Sequence, residues 1–382
     1  MKRQTAFIWI VAALVFIVTG CNPVLDQEQE EVIQTPEDQQ EASAPSIIPT
    51  EQISASFYRT VLPFQPGKAR GLITSAVINR ADINQLETGL MRLSQEPFPT
   101  DTHFYQEGQY ITTEDVQTWT GRKNEEGEGL NPPLSGEGSL EEQNTESPRY
   151  LSHVLEQNYL TKNDSGDYAL GGLAIGISMN SVHYYAQEDG YPRETEISRA
   201  TALAKGKEFA DVILQDLRQK EGLSEVPILF TIFQEAPRNS VQPGRFLTQG
   251  TAASGKASID GWANVETYHV VFPSTEATNN HFDDAEKMTL FEEDVSQYFT
   301  NYVGVIGKGF YRGDELQQLE IDIPIQFFGK AETIGFTQYV SGLVQEYFPN
   351  YIDVEVNITS LERPESLIVR EPNQEPFIHI YQ

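Results

Sequence analysis

Cysteine is nearly missing from these 382 residues: Cys21 is the only one. No disulfide can close within the chain, no zinc site can be built from several thiolates, and a papain-like nucleophile is excluded. Positive charge is also scarce, with 26 Lys and Arg against 56 Asp and Glu and a formal charge of −30. A nucleic-acid binder carries a basic stripe. None runs along this sequence, so nucleic acid is not an expected partner. The apolar run from Ala6 to Val18 falls short of the roughly 18–20 residues that a membrane-crossing helix needs.

That run has another use. Lys2 and Arg3 precede it and Val18-Thr19-Gly20-Cys21 follows, the order of basic start, short apolar region and small-residue cleavage site that marks a secretory signal. Gly20 before Cys21 resembles a lipobox, where lipoprotein signal peptidase cuts and the Cys takes a diacylglycerol. Residues 1–20 are therefore expected to be a signal peptide, with Cys21 lipidated and the folded part held at the outer face of a bacterial cytoplasmic membrane. Removing residues 1–20 takes away Lys2 and Arg3 and no acid, moving the charge from −30 to −32. Such a charge keeps the body off anionic headgroups. Residues 21–55 read as an acidic, disordered tether. Asp26, Glu28, Glu30, Glu31, Glu37 and Asp38 fall within it, and no Lys or Arg occurs from Gln4 to Tyr58, so it cannot bury enough apolar surface to offset its ordering entropy.

The remainder, with 20 Phe and 17 Tyr, can bury a sizeable core, and the chain length suggests two compact units. Its two halves read alike. Tyr58-Arg59-Thr60-Val61-Leu62-Pro63 matches Tyr268-His269-Val270-Val271-Phe272-Pro273, a short strand stopped by proline. In the first half a β-prone run from Gly172 to Tyr185 precedes a helical stretch, Glu196 to Lys220, and the apolar run Val226 to Phe233. In the second, Gln318 to Phe328 is β-prone, Ala331 to Phe348 helical, and Ile352 to Ile358 alternates. Ala202, Gly206, Phe209, Ile213 and Leu217 recur at spacings of three or four, as do Phe336, Val340, Leu343 and Tyr347. Gly222 and Pro349 supply the helix stops. Strand-helix-strand order implies a right-handed crossover between parallel strands. The expected fold is α+β, as two tandem related repeats, each a mixed β-sheet with a packed helix. The first repeat covers 56–250 with a long acidic loop insertion at about 97–148, a linker covers 251–266, and the second repeat covers 267–382. The insertion, richest in acid and glycine from Lys123 to Pro148, reads as a surface loop, with docking of a basic partner as its functional alternative.

Motifs for chemistry are incomplete. Gly250-Thr251-Ala252-Ala253-Ser254-Gly255-Lys256-Ala257 approaches a phosphate-binding loop, but Ala257 lacks the hydroxyl that holds magnesium and no helical sequence follows. His281, Asp283 and Asp284 have metal-ligand chemistry, yet no second His stands at helical spacing, so they read as a solvated helix start. The turn Asp164-Ser165-Gly166-Asp167 lacks the bidentate Glu of a calcium loop and reads as a hairpin turn. Gly176-Ile177-Ser178-Met179-Asn180 ends in Asn where a hydrolase elbow requires Gly. No cofactor and no metal are expected.

Taken with the lipobox and tether, Tyr58-Arg59-Thr60-Val61-Leu62-Pro63 and Gly172-Leu173-Ala174-Ile175-Gly176-Ile177-Ser178-Met179-Asn180 make the chain resemble the CamS family of Gram-positive lipoproteins, the sex-pheromone precursors. The resemblance covers essentially the whole chain and implies two tandem repeats. It also implies that a short apolar peptide is released from the end of the signal, here Leu14-Val15-Phe16-Ile17-Val18-Thr19-Gly20, with a Phe16-Ile17 core like the family's. Leu14, Thr19 and Gly20 depart from the family's small-residue pattern. The expected function is that of a membrane-anchored precursor whose repeats bind an unidentified ligand or envelope partner. The alternative is a cell-envelope hydrolase using carboxylates.

Overall fold

A computed structural model of the chain describes residue 54 and residues 57–164, 166–298, 304–360 and 363–382. The signal segment, Leu14 to Gly20 included, Cys21 and, apart from Ser54, the tether lie outside the described residues. The first half runs α1 (Ile73–Ala76), α2 (Arg80–Leu93), β1 (His103–Glu107), α3 (Thr113–Thr120), α4 (Leu140–Glu146), β2 (Leu151–Lys162), β3 (Tyr168–Met179), β4 (Val182–Ala186) and β5 (Pro192–Glu196). It continues through α5 (Arg199–Gln219), β6 (Ile228–Gln234), β7 (Arg245–Ala252) and β8 (Asp260–Asn264). β4 and β5 form a separate hairpin, and the other six strands make one sheet in the order β1-β2-β3-β6-β7-β8. All its neighbours are antiparallel except β3 and β6, where Leu173 stands opposite Ile228 and Ile177 opposite Ile232.

The helix α5 makes the crossover that this parallel pair requires. Ser198 caps its start by accepting from the Thr201 amide, and its buried stripe is Ala202, Gly206, Phe209, Ala210, Ile213, Leu214 and Leu217. Gly206 lets the helix lie close: a Cβ there would meet Ile232 Cγ2 at 2.6 Å. On the opposite face α2 sets Leu86 and Leu90 into a cluster with Ala174, Leu229 and Phe233. Because both faces are covered, every residue of β6 is buried, which is why this strand reads as a continuous apolar run.

The second half runs β9 (Thr267–Phe272), α6 (Thr275–Asn280), α7 (Phe282–Tyr298), β10 (Ile306–Arg312), β11 (Glu315–Pro324), α8 (Lys330–Tyr347), β12 (Asp353–Thr359), β13 (Pro364–Arg370) and β14 (Phe377–Ile380). Its six strands lie in chain order, and only β11 and β12, joined by α8, are parallel. Phe291 and Val295 of α7 and Phe336 and Val340 of α8 pack onto Ile321, Ile323, Val354 and Val356. The strands here alternate between buried and solvent-facing residues, as expected when helices cover one face only. The halves meet where the Arg92 guanidinium at the end of α2 lies over the Phe310 ring at 4.1 Å and Arg245 lies over Tyr268 at 5.0 Å. Among the described residues no helix is long and apolar enough to cross a membrane.

The fold is thus α+β with two mixed sheets, and four expectations need correction. Tyr58 to Pro63 does not pair as Tyr268 to Pro273 does. Thr60 forms an isolated parallel bridge to Tyr105 at the outer edge of β1, whereas β9 is antiparallel to β10. The place of β9 is filled in the first sheet by β1. Both proline bonds, Leu62–Pro63 and Phe272–Pro273, are cis. The acidic insertion is not a plain loop. It contains β1, α3 and α4, and its acids Asp115 and Glu142 complete capping boxes with Thr112 and Ser139, while Ile111, Val116 and Trp119 enter the core. The linker at 251–266 holds β8, with Trp262 packed over Gly250 so closely that a Cβ there would meet its ring at 2.8 Å. Finally, the run Gly172 to Tyr185 is two strands broken at Asn180 and Ser181.

These packing differences set the expected stability effects. Ile213→Ala and Phe336→Ala, both fully buried, should each lower unfolding free energy by about 2–5 kcal/mol. Gly342→Ala, in the interior of α8 with nothing within 4 Å of its Cβ, should raise it by roughly 0.5–1 kcal/mol. Urea unfolding of the three variants measures all of this, and a destabilised Gly342→Ala would refute the open helix face.

Candidate ligand cavity

The strand β1 stops at Glu107, opposite Gln157, while β2 continues for six residues, from Glu156 back to Leu151. The edge left beyond β1 is covered by the loop 108–111, and Glu156 fastens it there. Its carboxylate accepts from the amides of Gln109 (3.0 Å), Tyr110 (3.1 Å) and Ile111 (2.6 Å). Gly108 allows this approach, since a Cβ there would lie 2.6 Å from that of Glu156. Burial pushes Glu156 up to about 6, against the lowering effect of those three amides.

Between this edge and the helices α1 and α2 lies a cavity of about 320 Å³, a size suited to a small ligand. Ile73, Ile83, Ile111 and Leu155 give it apolar walls. His153, also on the wall, is 2% exposed, and its Nδ1 has no hydrogen-bond partner among the described residues. Burial pushes His153 down to about 4, so at neutral pH the ring is uncharged. At the mouth, Glu107 Oε2 accepts from the Gly67 amide at 2.6 Å and lies 3.8 Å from Arg70 Nε. Glu87 is pushed up by partial burial and by Glu107, less the effect of Arg70. Burial, reinforced by Glu107 and Glu87, holds the Tyr105 hydroxyl protonated well above its ordinary range. The cavity therefore offers apolar walls, a neutral imidazole and two carboxylates at its opening. It suits an organic molecule that brings hydrogen-bond donors or a positive charge.

A second polar cluster is wholly interior. Asp82 of α2 accepts from the amides of Ala236 (2.8 Å) and Gly244 (2.5 Å), the two ends of one loop. Glu235 accepts from the hydroxyls of Ser152 and, at 2.7 Å, Ser178. Burial is the main cause that pushes Asp82 up to about 6 and Glu235 to about 7, and in Glu235 the Asp82 charge adds to it.

The residues singled out in sequence lie elsewhere. His281 stacks on Tyr311 with ring centroids 4.2 Å apart, and Asp284 accepts from the Tyr311 hydroxyl at 2.9 Å and pairs with Lys287 at 3.1 Å. This helix start is therefore packed rather than simply solvated. Asp164, Gly166 and Asp167 form the β2–β3 turn, where the Asp167 amide donates to Asn163 Oδ1. Ser178 is fully buried inside β3, not exposed at an elbow, and Gly250 to Ala252 end β7 while Ala253 to Ala257 form the turn after it. Among the described residues no group of three or more His, Cys, Asp or Glu is placed to hold a metal ion. His153, Glu156 and Glu235 were missed, although polar residues inside apolar strand runs were the available signal.

Glu235, Asp82 and Glu156 all favour the protonated form in the folded state. Their stabilising contribution is present below the ordinary carboxylate range, near pH 4, and is lost as pH rises through about 6 to 7. Glu235→Gln should therefore reduce the drop in melting temperature between pH 5.5 and about 8 relative to the unaltered chain. An unchanged drop would show that Glu235 does not titrate in this range.

No curated protein matches the sequence. The family model described as CamS sex pheromone cAM373 precursor matches residues 64–376. Among solved structures, the chain is similar to a sex pheromone precursor from Lactobacillus salivarius subsp. salivarius UCC118, at 30% identity and a TM-score of 0.81 over 88% of this chain and 99% of that one. It is also similar to the C-terminal domain of the sex pheromone staph-cAM373 precursor from Staphylococcus aureus, at 32% identity and a TM-score of 0.70 over 80% of this chain and 98% of that one. With the family match running through both sheets, the chain belongs to the CamS family of sex-pheromone precursors.

Proposed function

We propose that this protein is an extracytoplasmic lipoprotein, cut before Cys21 by lipoprotein signal peptidase and held on the membrane by a diacylglycerol on that residue. Family membership and the basic, apolar and Gly20-Cys21 order of the leader support this reading. The peptide Leu14 to Gly20 is then the released segment, with Phe16 and Ile17 as its core. The folded body binds a small ligand in the cavity between α1, α2 and the β1–β2 edge. The observation that carries the binding reading is His153, buried on the cavity wall with no partner for its Nδ1 among the described residues, because such a group costs free energy unless something bonds to it. The two sheets are copies of one unit. Each has six strands whose third and fourth are parallel and joined by a helix, with antiparallel neighbours on either side, and this shared order supports the reading.

Two measurements test it. Cys21→Ala should abolish both lipid labelling and signal cleavage, since no other thiol exists, and a lipid with two chains anchors where one chain is marginal. Protein of mature size still carrying lipid label would sink the anchor. For the cavity, titration with phenethylamine should shift the His153 ring signals in NMR, and Glu87→Gln should weaken that response. His153 signals that stay fixed would leave the cavity without its proposed ligand chemistry.

A further inference from the structure

A second recess, of about 440 Å³, lies under the acidic insertion, between α4 and the β4–β5 hairpin. Arg122, Arg149 and His183 line it, and no acidic residue does, in a chain with 56 acids and 26 bases. Neither arginine takes part in any ion pair among the described residues. Three acids close to it are already engaged. Glu141 pairs with Arg193 at 3.5 Å, Glu142 caps Ser139, and Glu188 accepts from the Leu140 amide.

The positive groups are held in place. Arg122 Nη1 donates to the carbonyls of Pro132 and Ser147, both at 2.7 Å, and Nη2 donates to Asn144 Oδ1 at 3.0 Å. The same Asn144 oxygen lies 3.0 Å from His183 Nε2, and its amide nitrogen donates to Leu140, so the ring carries its proton on Nε2. Arg149 donates one N–H to the Thr120 carbonyl at 3.3 Å. Tyr184, also on the lining, accepts from the Arg238 amide at 3.2 Å and lies under that guanidinium at 4.2 Å. Ile78, 64% exposed, adds apolar surface at the rim.

We propose that this recess binds a small molecule that carries a carboxylate or phosphate beside an apolar portion. Neither guanidinium has a counter-ion among the described residues; carbonyl hydrogen bonds hold Arg122, and the exposed Arg149, with one such bond, keeps further N–H groups to offer an oxyanion. The neutral contacts explain why the sequence places arginine here despite its shortage of base. The site is separate from the β1–β2 cavity and does not depend on it.

The test uses the purified full chain titrated with benzoate, phenyl phosphate and neutral benzyl alcohol, read by calorimetry and by NMR shifts of Tyr184 and Tyr185. At least one anion should bind saturably, more weakly as salt rises, and benzyl alcohol should not. The tighter of the two anions names the group. Arg149→Gln, a rim substitution that leaves the Arg122 contacts intact, should weaken that anion by about tenfold, the loss of one charge-assisted contact. A folded Arg149→Gln protein with unchanged affinity, equal binding of benzyl alcohol, or no saturable anion binding would each overturn the proposal.

Discussion

Two parallel strands cannot be joined by a tight turn, and this chain contains that constraint twice. β3 reaches β6 through α5, and β11 reaches β12 through α8. Each crossover helix must lie on its sheet, which fixes the apolar stripe of the helix and the buried face of four central strands together. What differs is the other face. In the first sheet α2 covers it and the insertion adds α3 and α4 at the rim, whereas the second sheet has helices on one side only. Helices on both faces of the first sheet supply walls that the second sheet, covered on one face, lacks. Both the β1–β2 cavity and the arginine-lined recess therefore fall in the first half.

The shortage of base shapes the interior as well as the surface. Burying a carboxylate is costly unless donors satisfy it. Here those donors are mostly neutral: backbone amides for Asp82 and Glu156, hydroxyls for Glu235. Neutral donors compensate a buried charge less than a cation does, so all three groups titrate upward. The arginines meanwhile serve carbonyls. Arg218 donates to Leu223, Val226, Ala253 and Lys256, and Arg370 donates to Val344, Phe348 and Pro349 at the end of α8. In these cases acid and base are kept apart, whereas the buried Glu365 pairs with Lys330 and Arg363. One consequence is carboxyls near neutrality, and another is guanidinium groups still able to meet an external anion.

Residue spacing was enough to place the crossover units. The stripe from Ala202 to Leu217 and that from Phe336 to Leu343 lie in α5 and α8, and the alternation from Ile352 to Ile358 begins one residue before β12 and runs along it. Pairing was not legible. The six residues from Tyr58 match those from Tyr268, but a match says nothing about which neighbour a strand meets, and one bridges β1 while the other pairs with β10. Composition misled for the insertion, because the same Glu and Asp that suggest a loop also cap helices. Thr112 with Asp115 and Ser139 with Glu142 carried that signal in their spacing. The cavity was out of reach for a different reason. His153 matters only because β1 ends at Glu107, 46 positions earlier in the chain, and Arg122 only because the Pro132 and Ser147 carbonyls return to it.

The family match covers residues 64–376 and so contains the first sheet, the second sheet up to β13, the cavity and the recess, but not Leu14 to Cys21. The similarity to the solved precursors is likewise a similarity of folded bodies. A released peptide needs only a leader and a cleavage site, and neither requires twelve sheet strands or a cavity walled by a buried histidine. A chain selected for the peptide alone gains nothing from burying Asp82 and Glu235 at the cost of desolvating them. The two proposed sites lie where a polar group has no hydrogen-bond partner or no counter-ion among the described residues: His153 Nδ1 on one wall, and Arg122 with Arg149 on another.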